Sequence, residues 1–205
     1  EELSELRKVY GKQLEDRIIQ GLQDLNFLDV KFEIDFETTE HYTANGNDKI
    51  CFTISTNPGE PLRPLAKVVS GGELSRIMLA IKTILADKDE TETLIFDEID
   101  TGVGGVTAQK MAEKIAAISS VGQVLCITHL PQIAAFADNH IHIEKQSADG
   151  RTVTQLTTLD YNGRLQELVR MTAGATASRA AFESATELLE GAEQIKSSLK
   201  RLQEK

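Results

Sequence analysis

Three short groups of residues, each at the start of a helix or the end of a strand, carry groups suited to phosphate and water chemistry. Ser70, Gly71, Gly72 and Glu73 open an amphipathic run. A serine followed three residues later by glutamate is a capping box. A cap does not require the two glycines, each of which costs about 1 kcal/mol against alanine inside a helix. Glycines at a helix N-terminus bare the first amides, so that a phosphate can approach the backbone and the positive end of the dipole. The second group is the apolar run Thr93, Leu94, Ile95, Phe96, which ends in the adjacent carboxylates Asp97 and Glu98. A strand of a parallel sheet delivers its C-terminal side chains to the ligand crevice, and neighbouring residues point different ways. One carboxylate can then hold a hydrated Mg²⁺ while the other orients a water. Taken alone, the same ending also describes the first solvated residues after a buried strand. Thr128 and His129 end the next apolar run in the same manner, which sets His129 beside Asp97 and Glu98.

Other reactive side chains read as structural. His41, His140 and His142 lack such a setting, and the alternation of His140 and His142 with Ile141 and Ile143 predicts histidines on the solvent face of a strand. Cys51 and Cys126 sit in apolar runs without CxxC or Cys/His spacing, so the expectation is buried free thiols, with neither a disulfide framework nor a zinc site. The glycine-rich stretch 102–107 lacks a following Lys-Ser/Thr, and GxxxxGK[ST] occurs nowhere in the chain.

These groups need elements to position them. Within residues 1–25, Leu3, Leu6, Tyr10, Leu14, Ile18, Leu22 and Leu25 recur at spacings of three and four, which predicts a long amphipathic helix. From Val30 the period shortens to two. Val30, Phe32, Ile34 and Phe36 alternate with charged residues, and Ile50, Phe52 and Ile54 repeat the pattern after the polar tract 38–48, predicting two strands joined by a loop in the manner of a hairpin. Three of the four prolines fall in 57–64, a loop. Helices over 73–86 and 107–118 then alternate with strands over 93–96 and 123–128, with a short helix over 131–137, a pattern that implies a parallel sheet covered by helices. The runs 140–145 and 152–159 are expected to add strands at the far side of that sheet. Helices around 164–171 and from about 177 close the chain, the last with Ala181, Ala185, Leu188, Ala192, Ile195, Leu199 and Leu202 along one seam.

The 205 residues, 40% of them apolar, can form a substantial core. No run approaches the about 20 consecutive apolar residues of a membrane span, and the charged opening EELSELRKVY is unlike a signal peptide. A soluble, cytoplasmic protein with no membrane partner is expected. Acidic residues outnumber basic ones by 32 to 22, a formal net charge of −10, with no lysine- or arginine-rich block, which speaks against a large basic DNA-binding face within this segment.

The order SGGE, an apolar strand ending in DE, then a strand ending in TH, is similar to the signature motif, Walker B motif and switch histidine of ABC-type ATPases. Within that superfamily SGGELSRIMLAIK, LIFDEIDTGV and ITHLPQIAAFAD, together spanning 70–138, resemble the SMC-like RecN family of bacterial DNA repair proteins more than transporter or other SMC sequences. The flanks 27–36 and 164–171 fit more loosely. The resemblance implies an α/β fold: residues 26–205 as the C-terminal lobe of an ABC-type ATPase head, with a mostly parallel sheet and flanking helices, and residues 1–25 as the foot of a returning coiled-coil arm. It implies ATP and Mg²⁺ as ligands. Ser70, Gly71 and Gly72, with Glu73 completing the motif, would meet the γ-phosphate of ATP held on a partner head. Asp97 would support Mg²⁺ through water, Glu98 would act as general base on the attacking water, and His129 would contact the γ-phosphate. Asp100 and Thr101 fall where the family has its D-loop, which touches the opposite subunit. Gly104 departs from the family, which usually has serine there.

The partners implied are an N-terminal head lobe that carries Walker A, a second head in a homodimer, and DNA through the full-length protein, near the nucleoid. The function implied is ATP binding and hydrolysis between engaged heads in double-strand-break repair and recombination. Two alternatives stand beside it. A structural dimerisation module that does not hydrolyse ATP is disfavoured by intact Glu98 and His129, and a transporter nucleotide-binding domain by the SGGELSRIM and DEIDTG sequences.

Overall fold

The computed structural model describes residues 1–68, 71–88, 91–148, 151–174 and 178–203. Helix α1 (Glu2–Asp24) opens the chain and ends where Asn26 turns left-handed, φ 70°, so that the Phe27 amide reaches the carbonyl of Leu22. Its C-terminal half carries the buried Ile18 and Leu22, while Leu3, Leu6 and Tyr10 of the same expected stripe stay exposed. Strands β1 (Lys31–Thr43) and β2 (Gly46–Ser55) form an antiparallel hairpin, to which the two-residue β3 (Arg63–Pro64) adds. The polar tract expected as a loop is therefore mostly strand. Pairing runs from Lys31 opposite Ser55 out to Thr43 opposite Gly46, with an irregularity between Thr38 and Thr43. Away from the core a two-stranded ribbon can be polar on both faces, and Thr39 Oγ1 donates to the Asn47 carbonyl across it. The buried Glu15 ties α1 to the edge strand: its carboxylate accepts the Ile34 amide at 2.7 Å and pairs with Lys12.

Helix α2 (Gly71–Leu85), strand β4 (Thr93–Phe96), helix α3 (Gly105–Ser119) and strand β5 (Gln123–Cys126) form the centre of the molecule. Strands β4 and β5 pair in parallel, Thr93 with Gln123 through Phe96 with Cys126, as the sequence predicted. Helix α4 (Pro131–Ala134) is shorter than expected. Strands β6 (Ile141–Ala148) and β7 (Arg151–Thr158) are antiparallel to each other and form a sheet of their own. Parallel pairing among the described residues is thus confined to β4 and β5. The runs expected to extend that sheet instead satisfy each other's backbone, because an antiparallel partner lies next in sequence.

Helices α5 (Tyr161–Ala173) and α6 (Arg179–Gln203) close the chain, α5 capped by Asp160, whose carboxylate accepts the Gly163 amide at 2.7 Å. Along α6 the buried residues are Ala181, Ala185, Leu189 and Ala192, with Leu188, Ile195 and Leu199 packed partly against the core. Helix α1 packs on α2, α2 on α3, and α3 on α4 and α6. Ile77, Leu79, Ile99, Met111 and Leu168 lie fully buried among them. Cys51 and Cys126 are free thiols, half-buried where full burial was expected. No helix among the described residues is long and apolar enough to cross a membrane.

His140, just before β6, and His142 within it reverse the expected orientation. Ile141 and Ile143 are exposed, whereas His142 turns inward to Glu167 of α5 at 3.3 Å and His140 buries Nδ1. Strand alternation was read correctly, but the face against α5 is the polar one.

Candidate functional site

Phe96 is the last buried residue of β4, and the chain then turns sharply. Asp97 and Glu98 are exposed, Ile99 and Asp100 buried, and Thr101 exposed again. Glu98 adopts φ 55°, a left-handed conformation that costs a non-glycine residue roughly 1–2 kcal/mol. The turn is closed by the Thr101 amide on the Glu98 carbonyl at 3.3 Å, and Asp97 Oδ1 accepts the Glu98 amide at 2.9 Å. Strain of this kind persists where surrounding structure over-determines it. Here the surroundings are the first turns of α2. Ser75 Oγ donates to the Asp97 carbonyl at 3.1 Å, and Arg76 Nη1 donates to the carbonyls of Thr101 at 3.0 Å and Ile99 at 3.5 Å. The Arg76 guanidinium lies over the Phe27 ring, 5.4 Å from its centroid, and burial lowers its pKa.

The same helix start explains its glycines in part. A Cβ on Gly71 would come within 3.0 Å of Glu98 Oε2, and one on Gly72 within 3.0 Å of the Glu98 carbonyl oxygen. Glu73 lies in the first turn of α2. Ser70 lies outside the described residues, and the expected capping box with it.

His129 follows β5. The Ile127 amide bonds to the Phe96 carbonyl at 2.9 Å, which continues the parallel ladder and holds the two strand ends together. Asp100 bridges them. Its side chain is only 4% exposed, and Oδ2 accepts from Thr128 Oγ1 at 2.6 Å and the His129 amide at 2.8 Å, with His129 Nδ1 3.0 Å away. The imidazole itself is 71% exposed. Of the pair that the resemblance sets toward an opposite subunit, Asp100 is buried and Thr101 exposed. Gly104 is the N-cap of α3 with no side-chain cap, the position where a serine would supply one, and glycine there costs only a few tenths of a kcal/mol. Cys126 ends β5 with its thiol pushed up to about 12, by burial first and then by Asp100 and Asp97, which disfavours the thiolate.

Asp97, Glu98, Gly71, Gly72 and Thr101 thus gather at one end of the parallel pair, with His129 joined to them through Asp100. Sequence reading missed Ser75 and Arg76 as supports of the turn, although Gly72, Ser75, Arg76 and the buried Leu79 share one helical face. Among the described residues no group of three or more His, Cys, Asp or Glu side chains could hold a metal ion unaided.

No family model matches the chain. Curated proteins do. The chain is 46% identical over 198 residues to the DNA repair protein RecN of Halalkalibacterium halodurans, covering 95% of the chain and 35% of that protein. It is 43% identical over 209 residues to the DNA repair protein RecN of Bacillus subtilis, covering 95% and 36%, and 40% identical over 190 residues to that of Vibrio cholerae, covering 92% and 34%. The chain therefore spans about a third of the length of these relatives. Among solved structures, the Smc head domain with a coiled coil and joint derived from Pyrococcus yayanosii aligns with a TM-score of 0.56 at 18% identity, over 82% of this chain and 30% of that one. The Smc head domain with an extended coiled coil from Pyrococcus furiosus aligns with a TM-score of 0.52 at 19% identity, over 82% and 39%. These likenesses give the α/β fold of an Smc head domain, and at the level of sequence nearly the whole chain is similar to about a third of the length of DNA repair proteins named RecN.

Proposed function

We propose that this chain is the C-terminal half of a RecN-type ATPase head, which binds and hydrolyses ATP between two engaged heads in DNA double-strand-break repair and recombination. The observation that carries the reading is the convergence of Asp97, the strained Glu98 and the start of α2 at one end of β4, with His129 fixed at the end of β5. In this reading Ser70, Gly71 and Gly72, with Glu73 completing the motif, receive the γ-phosphate of a nucleotide bound to the partner head. Asp97 holds the water shell of Mg²⁺, which when bound neutralises charge on the phosphates. Glu98 takes the proton of the attacking water, and His129 steadies a phosphate oxygen. Thr101 meets the opposite head.

The rest of the head would come from an N-terminal lobe with the Walker A segment, and α1 would be the foot of the coiled-coil arm that links the lobes. DNA contact would lie mainly outside this acidic segment, and the protein would work in the cytoplasm near the nucleoid. Glu98→Gln in the intact protein tests the chemistry. Turnover should fall about 10²–10⁴-fold with ATP binding kept, and an ATP-bound dimer should accumulate in light scattering. Unchanged turnover would remove Glu98 from the reaction.

A further inference from the structure

Asp100 has the features of a group that acts through another. It is a buried carboxylate, which is costly unless donors meet it, and two donors converge on one oxygen, Thr128 Oγ1 and the His129 amide. The imidazole Nδ1 of His129 lies 3.0 Å from the same oxygen. The amide bond fixes where that residue sits, and the close approach of the ring to the carboxylate restrains how the imidazole is rotated. With its side chain 71% exposed, the histidine would otherwise sample several rotamers. A carboxylate oxygen this near to Nδ1 favours a proton on that nitrogen, which leaves Nε2 as the nitrogen free to meet a substrate oxygen.

We infer that Asp100 is a positioning residue for ATP hydrolysis: it bridges the ends of β4 and β5 and holds the His129 imidazole in one rotamer and one tautomer, with Nε2 presented to the γ-phosphate. This rests on the proposed reading of His129. The carboxylate plays the part of the acid behind the histidine in a triad, orienting the ring and offsetting its charge when Nε2 bears a proton. Thr128 supports the arrangement from the other side, since its hydroxyl donates to Asp100 and accepts the Leu130 amide at 3.0 Å.

The test is a double-mutant cycle in the intact protein with Asp100→Asn, His129→Ala and the pair, reading kcat, KM for ATP and the melting temperature. Asp100→Asn should lower kcat about 10- to 100-fold, the range for loss of an orienting partner, with KM within about twofold. In the His129→Ala background the same change should cost no further turnover. Additive losses, or a rise in KM with kcat kept, would overturn the inference and leave the reading of His129 standing. Full turnover in His129→Ala alone would sink that reading and this inference together. If Asp100→Asn loses its cooperative melt, Asp100→Ser, smaller and still polar, takes its place in the cycle with the same expected outcomes.

Discussion

Gly71 and Gly72 differ in what a methyl group would strike. At Gly72 a Cβ meets the backbone oxygen of Glu98 at 3.0 Å and Thr101 Cβ at 3.4 Å, neither of which can yield without moving the turn after β4. At Gly71 it meets only Glu98 Oε2, the far end of a flexible side chain. Packing within the chain thus accounts for Gly72 whether or not a phosphate ever arrives, and the sequence, which weighed only a cap against a phosphate, did not reveal this third cause. Gly72→Ala is expected to destabilise by about 1–3 kcal/mol, as an overpacked site does. Gly71→Ala should melt near wild type, because alanine's better helix propensity offsets a small displacement, yet turnover should fall as Glu98 is pushed from its place. Paired melts and ATPase assays on the intact protein separate the two. A Gly71→Ala protein with full turnover would reduce that glycine to packing.

At the scale of elements, periodicity located most helices and strands, because α1, α2, α3 and the strands β4 and β5 each bury one consistent face. What it could not assign was the partner of each face. The alternation of His140, Ile141, His142 and Ile143 was legible, yet hydrophobicity alone sent the isoleucines inward. The structure turns the histidines to α5 because Glu167, itself held below the usual carboxylate range chiefly by Arg170, supplies a polar surface there. Likewise Asp100 could be assigned to a loop by its place after the strand, but its burial depended on where Thr128 fell in the next strand.

The inward histidine has a measurable consequence. Burial, with Arg164 and His142 acting the same way and Glu167 opposing, pushes the His140 pKa down, and its buried Nδ1 has no hydrogen-bond partner. The unfolded chain then takes up a proton, below about pH 6.5, that the folded chain resists. Stability from this group is complete above that pH and is lost as pH falls toward the lowered folded value. The melting temperature should therefore decline as pH falls below about 6.5, and His140→Gln should flatten the decline. An identical slope in the variant would clear His140 of the effect.

The whole molecule is uneven in how it covers its parallel strands. Leu94, Phe96, Val124 and Cys126 point into the core, while on the opposite face Ile95 is 68%, Leu125 47% and Ile127 56% exposed. Register pairs Ile95 with Leu125, so the three form one strip. Parallel sheets are normally covered on both faces, and an apolar strip of this kind marks a surface that something else covers. The proposed N-terminal lobe is the natural occupant, and two comparisons test it. The isolated chain should bind Mg-ATP poorly by isothermal titration, since it has no Walker A lysine. Changing Ile95, Leu125 and Ile127 together to threonine, which keeps strand propensity, should leave the melting temperature of the isolated chain nearly unchanged while reducing self-association. In the intact protein, where the strip would be buried, the same substitutions should lower stability by several kcal/mol, at about 1.5–3 kcal/mol for each large apolar side chain fully buried. Equal melting behaviour in both settings would mean that the strip faces solvent in the intact protein too, and that the proposed N-terminal lobe docks elsewhere.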